Sequence, residues 1–164
     1  MLEIVQVPYG HPDAMLLIAE VQAEYVLRYG GPDETPLDPL MFEPPSGSFF
    51  VGYLELEAGA ARRPVATGAW RAHDDLDVFG TRRTAEVKRM YVVPAARARG
   101  LARRMLAHLE ADAAEAGAQA MVLETGAAQP EAIALYESSG YVAIPGFGYY
   151  RDSPLSRTLG KRLD

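Results

Sequence analysis

The chain contains no cysteine. That excludes a disulfide framework, a thiolate metal site and a cysteine-linked acyl intermediate, so any chemistry has to come from oxygen, nitrogen and main-chain groups. It also lacks an excess of positive charge. Sixteen Lys and Arg stand against 22 Asp and Glu, a formal charge of −6, which argues against a general nucleic-acid or acidic-membrane binder. No stretch reaches the roughly 20 apolar residues of a membrane helix, and residues 1–6 have neither a basic start nor a signal-peptide core. Cytoplasmic residence is the resulting expectation. Repeats and low-complexity tracts are missing too, so residues 1–164 are expected to form one domain.

What is present is a pattern of short strands and amphipathic helices. Residues 2–7 alternate as a strand does. Pro12 then opens a helix in which Ala14, Leu17, Ile18, Val21 and Tyr25 share one face, and Gly30-Gly31 ends it. Residues 31–47 hold five prolines and several acids, the composition of an irregular, substrate-facing loop. Residues 48–56 and 64–73 read as an antiparallel hairpin, and residues 84–93 as a third strand ending at Pro94. Leu101, Met105, Leu106, Leu109 and Ala113 then line one face of a helix, with Arg103, Arg104, Glu110 and Asp112 expected outside. A strand over 118–125, a helix over 130–139, a strand over 141–144 and a last strand over 157–163 complete the order. The predicted fold class is α/β, with a largely antiparallel central sheet flanked by helices.

The stretch from Val92 to Ala102 carries the most chemical information. A strand ends there and a helix begins through residues of little bulk, so main-chain N–H groups at the positive end of a helix dipole are exposed. Such a turn holds a pyrophosphate without a metal, Gly100 permits close approach, and Arg97 or Arg99 can add charge. The P-loop and dinucleotide fingerprints lack their required glycines, and no G-x-S-x-G elbow supplies a serine nucleophile. The histidines, His11, His73 and His108, stand at no metal-ligand spacing, and solvated or capping roles are expected for them. No metal site is expected.

Arg97-x-x-Gly100-x-Ala102 resembles the [QR]-x-x-G-x-[GA] motif of the GCN5-related N-acetyltransferase (GNAT) family. Gln129-Pro-Glu-Ala-Ile-Ala-Leu-Tyr136-Glu-Ser-Ser-Gly140-Tyr141 is similar to the family's later N-x-x-A-x-x-L-Y-x-x-x-G-[FY] segment. Gln129 stands where Asn is common and is followed by Pro130, but an amide is retained. The resemblance implies a sheet of about six to seven strands and acetyl-CoA as cosubstrate. It places the cofactor on Arg97, Ala98, Arg99, Gly100, Leu101 and Ala102, on the main chains of Met90 and Val92, and on Gln129. It also implies direct transfer to a small-molecule or peptide amine, and a possible homodimer.

The same resemblance makes Tyr136 the donor to the leaving sulfur. An ordinary tyrosine, titrating near about 10, is protonated at neutral pH. Two carboxylates match base positions of different branches: Glu86 that of histone-type enzymes, Glu124 that of ribosomal-protein N-terminal acetyltransferases. Each has apolar neighbours in sequence, which would raise its pKa toward a useful base. Deprotonation through water, or electrostatic help from Lys88 and Arg89, is a third route. If both acids face one cleft, they also suit a cationic amine. The acidic loop around Asp33, Glu34, Asp38 and Glu43 points weakly the same way, and Tyr149 or Tyr150 is a candidate border of the acceptor site. A non-catalytic CoA-binding module, or a transferase with another acyl donor, remains the alternative.

Overall fold

The computed structural model describes residues 1–35 and 37–163, so Pro36 in the proline-rich loop and the final Asp164 lie outside the described residues. The elements follow the predicted order: β1 (Glu3–Gln6), α1 (Pro12–Tyr29), β2 (Gly47–Leu54), β3 (Arg63–Ala72), β4 (Thr84–Val92), α2 (Leu101–Glu115), β5 (Ala120–Gly126), α3 (Pro130–Ser138), β6 (Val142–Ala143) and β7 (Ser156–Arg162). Seven strands form one sheet in the order β1-β2-β3-β4-β5-β7-β6. The β4–β5 pair is parallel and the others are antiparallel. The sheet is therefore largely antiparallel, as expected, although β6 shrinks to two residues.

Both faces of the sheet are buried. Successive side chains of a strand point to opposite faces. Phe49 and Val51 of β2 accordingly join Ala14, Leu17, Ile18 and Val21 of α1, while Phe50 and Leu54 join Leu101, Met105, Leu106 and Leu109 of α2. The periodicity of α1 follows from its ends. His11 Nδ1 accepts the Asp13 N–H at the N-cap, Pro12 sits where a missing N–H costs nothing, and Gly30 closes the helix at φ +79°. The capping role expected of a histidine is realised at His11.

Two helix positions differ from expectation. Glu110 and Asp112 of α2 are half-buried because their carboxylates have partners: Glu110 accepts from Tyr141 Oη at 2.8 Å and Lys161 Nζ at 3.1 Å, and Asp112 accepts from Trp70 Nε1 at 2.8 Å. A buried indole or phenol needs such an acceptor, which periodicity alone does not reveal.

The irregularity that shapes the site lies in β4. Thr67 of β3 pairs with Tyr91 while Ala69 pairs with Lys88, so β4 carries one residue more than its partner across this step. This is a β-bulge, with Arg89 in the left-handed region at φ +56°. Thr67 Oγ1 donates to the Arg89 carbonyl at 2.6 Å and pins it. Opposite the bulge, Gly68 lies under α2, where an added Cβ would come within 2.6 Å of the Met105 side chain. Here glycine allows the close helix approach that sets the start of α2 beyond the end of β4.

Candidate active site

Pairing between β4 and β5 stops at Glu86 and Val122, although β4 stays bound to β3 as far as Val92 and β5 to β7 as far as Gly126. The two central strands thus splay, and their facing edges carry main-chain groups outside the ladder. A cavity of about 460 Å³ fills the gap. Its walls come from β4 (Glu86 to Met90), β5 (Leu123 to Gly126), the end of α1 with residues 31–35, Gln129 and Tyr136 of the α3 region, and Tyr150, Ser153, Leu155 and Ser156. Backbone polar groups exposed beside an apolar wall suit an extended, amide-bearing ligand arm.

The cavity brings together Glu86, Glu124, Tyr136, Met90 and Gln129. The remaining expected cofactor residues, Val92 and residues 97–102, are not on its wall; they form the turn at the far end of β4. There Ala98 at φ +63° and Gly100 at φ +75° are both left-handed. Nothing lies within 4 Å of where a Gly100 Cβ would stand, so a ligand can approach the start of α2 closely. Arg97 has partners within the chain. Its Nε donates to the Val92 carbonyl at 2.9 Å, its Nη2 meets Glu24 at 2.7 Å, and its guanidinium lies over the Tyr91 ring. This arginine ties the turn to α1, while Arg99 stays exposed.

The two candidate bases have different surroundings. Glu86 is 3% exposed and lies beside two cations, Arg71 Nε at 3.1 Å and Lys88 Nζ at 3.3 Å, with the His73 imidazole Nε2 at 3.8 Å. His73 Nδ1 is also 2.7 Å from Asp75 and its ring meets Phe147 edge-on at 5.4 Å, so this histidine is packed between groups and has neither the solvated nor the capping role expected. Glu124 has no ion-pair partner within 4 Å among the described residues. Burial and the nearby Glu86 charge push its carboxyl above the ordinary range, against opposing pulls from Lys88 and the Tyr150 main chain. The Gly148 backbone packs directly on this carboxylate, leaving no room for a side chain.

Tyr136 is 6% exposed, and burial pushes its phenol well above the usual value. Its ring meets Tyr141 edge-on at 5.7 Å, which fixes its orientation. Gln129 accepts a 3.4 Å hydrogen bond from Tyr29 Oη at the head of α3.

One side of the cavity is closed by contacts far apart in sequence. Tyr150 Oη donates to Asp33 Oδ1 at 3.1 Å and accepts the Glu34 N–H at 2.8 Å. Asp33 Oδ2 lies 3.3 Å from Arg89 Nη1. Burial alone would raise the Asp33 pKa, but hydrogen bonds from Thr35, then Arg89 and Tyr150, outweigh it and hold the carboxyl below its ordinary value. Thus Asp33, Glu34 and Tyr150 do border the cleft, as the acidic loop and the tyrosine pair suggested. Asp38 instead caps a short 3-10 turn through the Leu40 N–H. Among the described residues, the buried side-chain polar atoms without a hydrogen bond are His73 Nδ1, Arg89 Nε, Glu124 Oε2 and Ser156 Oγ. Apart from His73, all belong to the cavity wall.

The model of the acetyltransferase (GNAT) family matches residues 18–141, most of the chain. The chain belongs to the GNAT family. This GNAT protein is an acyltransferase by family. A 78-residue stretch is 45% identical to an IAA acetyltransferase of Azospirillum brasilense; the match covers 48% of this chain and spans only about half (51%) of that relative. A Klebsiella pneumoniae protein assigned as an acyl-CoA N-acyltransferase is 27% identical, with 100% of this chain and 99% of that one superposed at a TM-score of 0.77. A Salmonella typhimurium protein assigned as an acetyltransferase, solved with its cofactor acetyl-CoA, shares the fold at 20% identity and a TM-score of 0.65, over 99% and 94% of the two chains. No group of three or more acidic, histidine or cysteine side chains among the described residues is arranged to hold a metal ion.

The sequence reading missed Arg89 as a wall residue of distinct geometry, the Asp33–Tyr150 contact and the Gly148–Glu124 contact. Only the left-handed bulge residue had any local signal, the Lys88-Arg89 pair inside an apolar strand. The others join segments that meet only in the fold, residues 33 and 150 lying 117 positions apart.

Proposed function

We propose that this GNAT protein transfers an acetyl group from acetyl-CoA to a primary amine by direct attack, with Glu124 as general base and Tyr136 as donor to the leaving sulfur. The observation that carries the reading is the unpaired notch between β4 and β5, with Glu124 on one wall and Tyr136 on another. Acetyl-CoA supplies the thioester. The turn with Gly100 at its centre is open enough to hold the diphosphate on main-chain N–H groups of residues 97–102, and the free edge of β4 at Met90 and Val92, with Gln129, suits the pantetheine arm.

Glu124 is favoured over Glu86 because a base must be free to take a proton. Arg71 and Lys88 occupy the oxygens of Glu86, whereas Glu124 has a raised pKa and an unpartnered Oε2. Glu124 accepts the proton of the acceptor ammonium, the amine nitrogen bonds to the acetyl carbon, and as the carbon–sulfur bond breaks the nitrogen sheds its second proton, which replaces the one Tyr136 gives to the sulfur. Tyr136, kept protonated by burial, offers its hydroxyl hydrogen to the sulfur as negative charge develops there. We take residues 1–164 as one catalytic domain on this reading.

Release of the CoA thiol over a broad amine library tests the activity. Glu124→Gln should lose kcat while still binding acetyl-CoA. If Glu86→Gln loses turnover and Glu124→Gln keeps it, the base assignment is wrong.

A further inference from the structure

We infer that the acceptor is a small α-amino acid or close analogue, a molecule with a carboxylate beside its reactive amine, and that the Nε edge of Arg89 receives that carboxylate while Glu124 receives the amine. This inference rests on the acetyl-transfer reading and deepens it. Arg89 is an unusual place for a guanidinium: its side chain is 9% exposed, on the bulge of β4, in the wall of the cavity. Asp33 takes Nη1, and Nε has no partner. Buried guanidinium N–H groups are strongly selected to be bonded, and the planar fork of arginine fits a carboxylate along one edge.

The opposite polarity is unmet on the neighbouring strand. Glu124 Oε2 lacks a hydrogen bond, and Lys88, the nearby ammonium, is bound to Glu86. One wall therefore offers an unmet donor on a cation and another an unmet acceptor on an acid, with Ser156 Oγ as a third unmet group. A molecule that carries an ammonium and a carboxylate on one carbon offers a donor to the acid and an acceptor to the guanidinium. A simple amine would leave the Arg89 edge unpaired. A polyamine would also bring a second positive charge toward a buried guanidinium. A protein acceptor fits less well, because the cavity is only about 460 Å³ and Tyr150 bonds to Asp33 and Glu34 across one side of it.

The experiment measures kcat/KM with acetyl-CoA for matched sets: an amino acid, its α-amide and its decarboxylated amine, across apolar, polar and charged side chains, with diamines and polyamines included. The best amino acid should exceed its amide and its amine by roughly 10- to 100-fold, the range of one charge-assisted hydrogen-bonded contact. In Arg89→Gln that ratio should collapse toward one, and Arg89→Lys should restore part of it. Titration calorimetry with acetyl-CoA confirms that each variant is folded. Equal turnover of acid, amide and amine, or preference for a polyamine, overturns the inference and leaves acetyl transfer standing. The inference is also overturned if Arg89→Gln keeps the wild-type ratio. No turnover of any amine by a protein that binds acetyl-CoA overturns the acetyl-transfer reading itself.

Discussion

Glu86 and Glu124 stand on adjacent strands and face one cavity, yet the β4 wall neutralises its carboxylate and the β5 wall does not. Arg71 and Lys88 pair with both oxygens of Glu86. Glu124 lies against backbone, near a like charge and without an ion pair, so its proton affinity rises. What decides a base is the set of groups around it, because residue type and apolar neighbours in sequence are the same for both.

The largest effect expected is on turnover in Glu124→Gln, a loss of about 10²- to 10⁴-fold in kcat with acetyl-CoA affinity retained, read by steady-state kinetics and calorimetry. The same carboxylate predicts the pH dependence. Its folded pKa lies above its unfolded one, so folded protein binds the extra proton and stability falls as pH rises through that window. Activity should rise across the same window as the base is freed. Glu124→Gln should flatten both trends, and a melting-temperature series from acid to neutral pH checks the first. Asp33 contributes oppositely: its depressed pKa stabilises the fold above its unfolded value and that contribution is lost as pH falls through the folded one.

Tyr136→Phe should lower kcat by about 10²-fold while leaving acetyl-CoA binding nearly unchanged, since only the bond to the developing thiolate is lost. Gly148→Ala breaks the comparison from the other side, because its methyl group would collide with the Glu124 carboxylate. Turnover should fall there without any change to an ionisable residue, and the pH profile of kcat should shift with it. For Glu86→Gln the main effect should be on stability, about 2 kcal/mol by denaturant unfolding, because Arg71 and Lys88 lose their charge partner. The smallest change in stability is expected for Gly100→Ala, about 1 kcal/mol by denaturant unfolding, since no neighbouring atom meets the added Cβ and only the left-handed backbone resists it.

The notch also shows what was legible. The order of strands and helices, and the buried faces of α1 and α2, followed from periodicity because each helix has one apolar stripe and clear ends. Arg97 was legible as part of a motif but not in its use: its link to Glu24 on α1 spans 73 positions, and no local pattern records it. The bulge was equally invisible, since one extra residue in β4 leaves the apolar content of the strand unchanged and appears only against the register of β3.

By itself the sequence determined the elements, the turn with its glycine at the start of α2, and the family, because those depend on spacings within one continuous stretch. The tertiary structure alone decided which carboxylate is free, how Arg89 is aimed, and how residues 33 and 150 close the cleft. Those depend on distances between strands and loops, and on charges that meet only after the chain has folded.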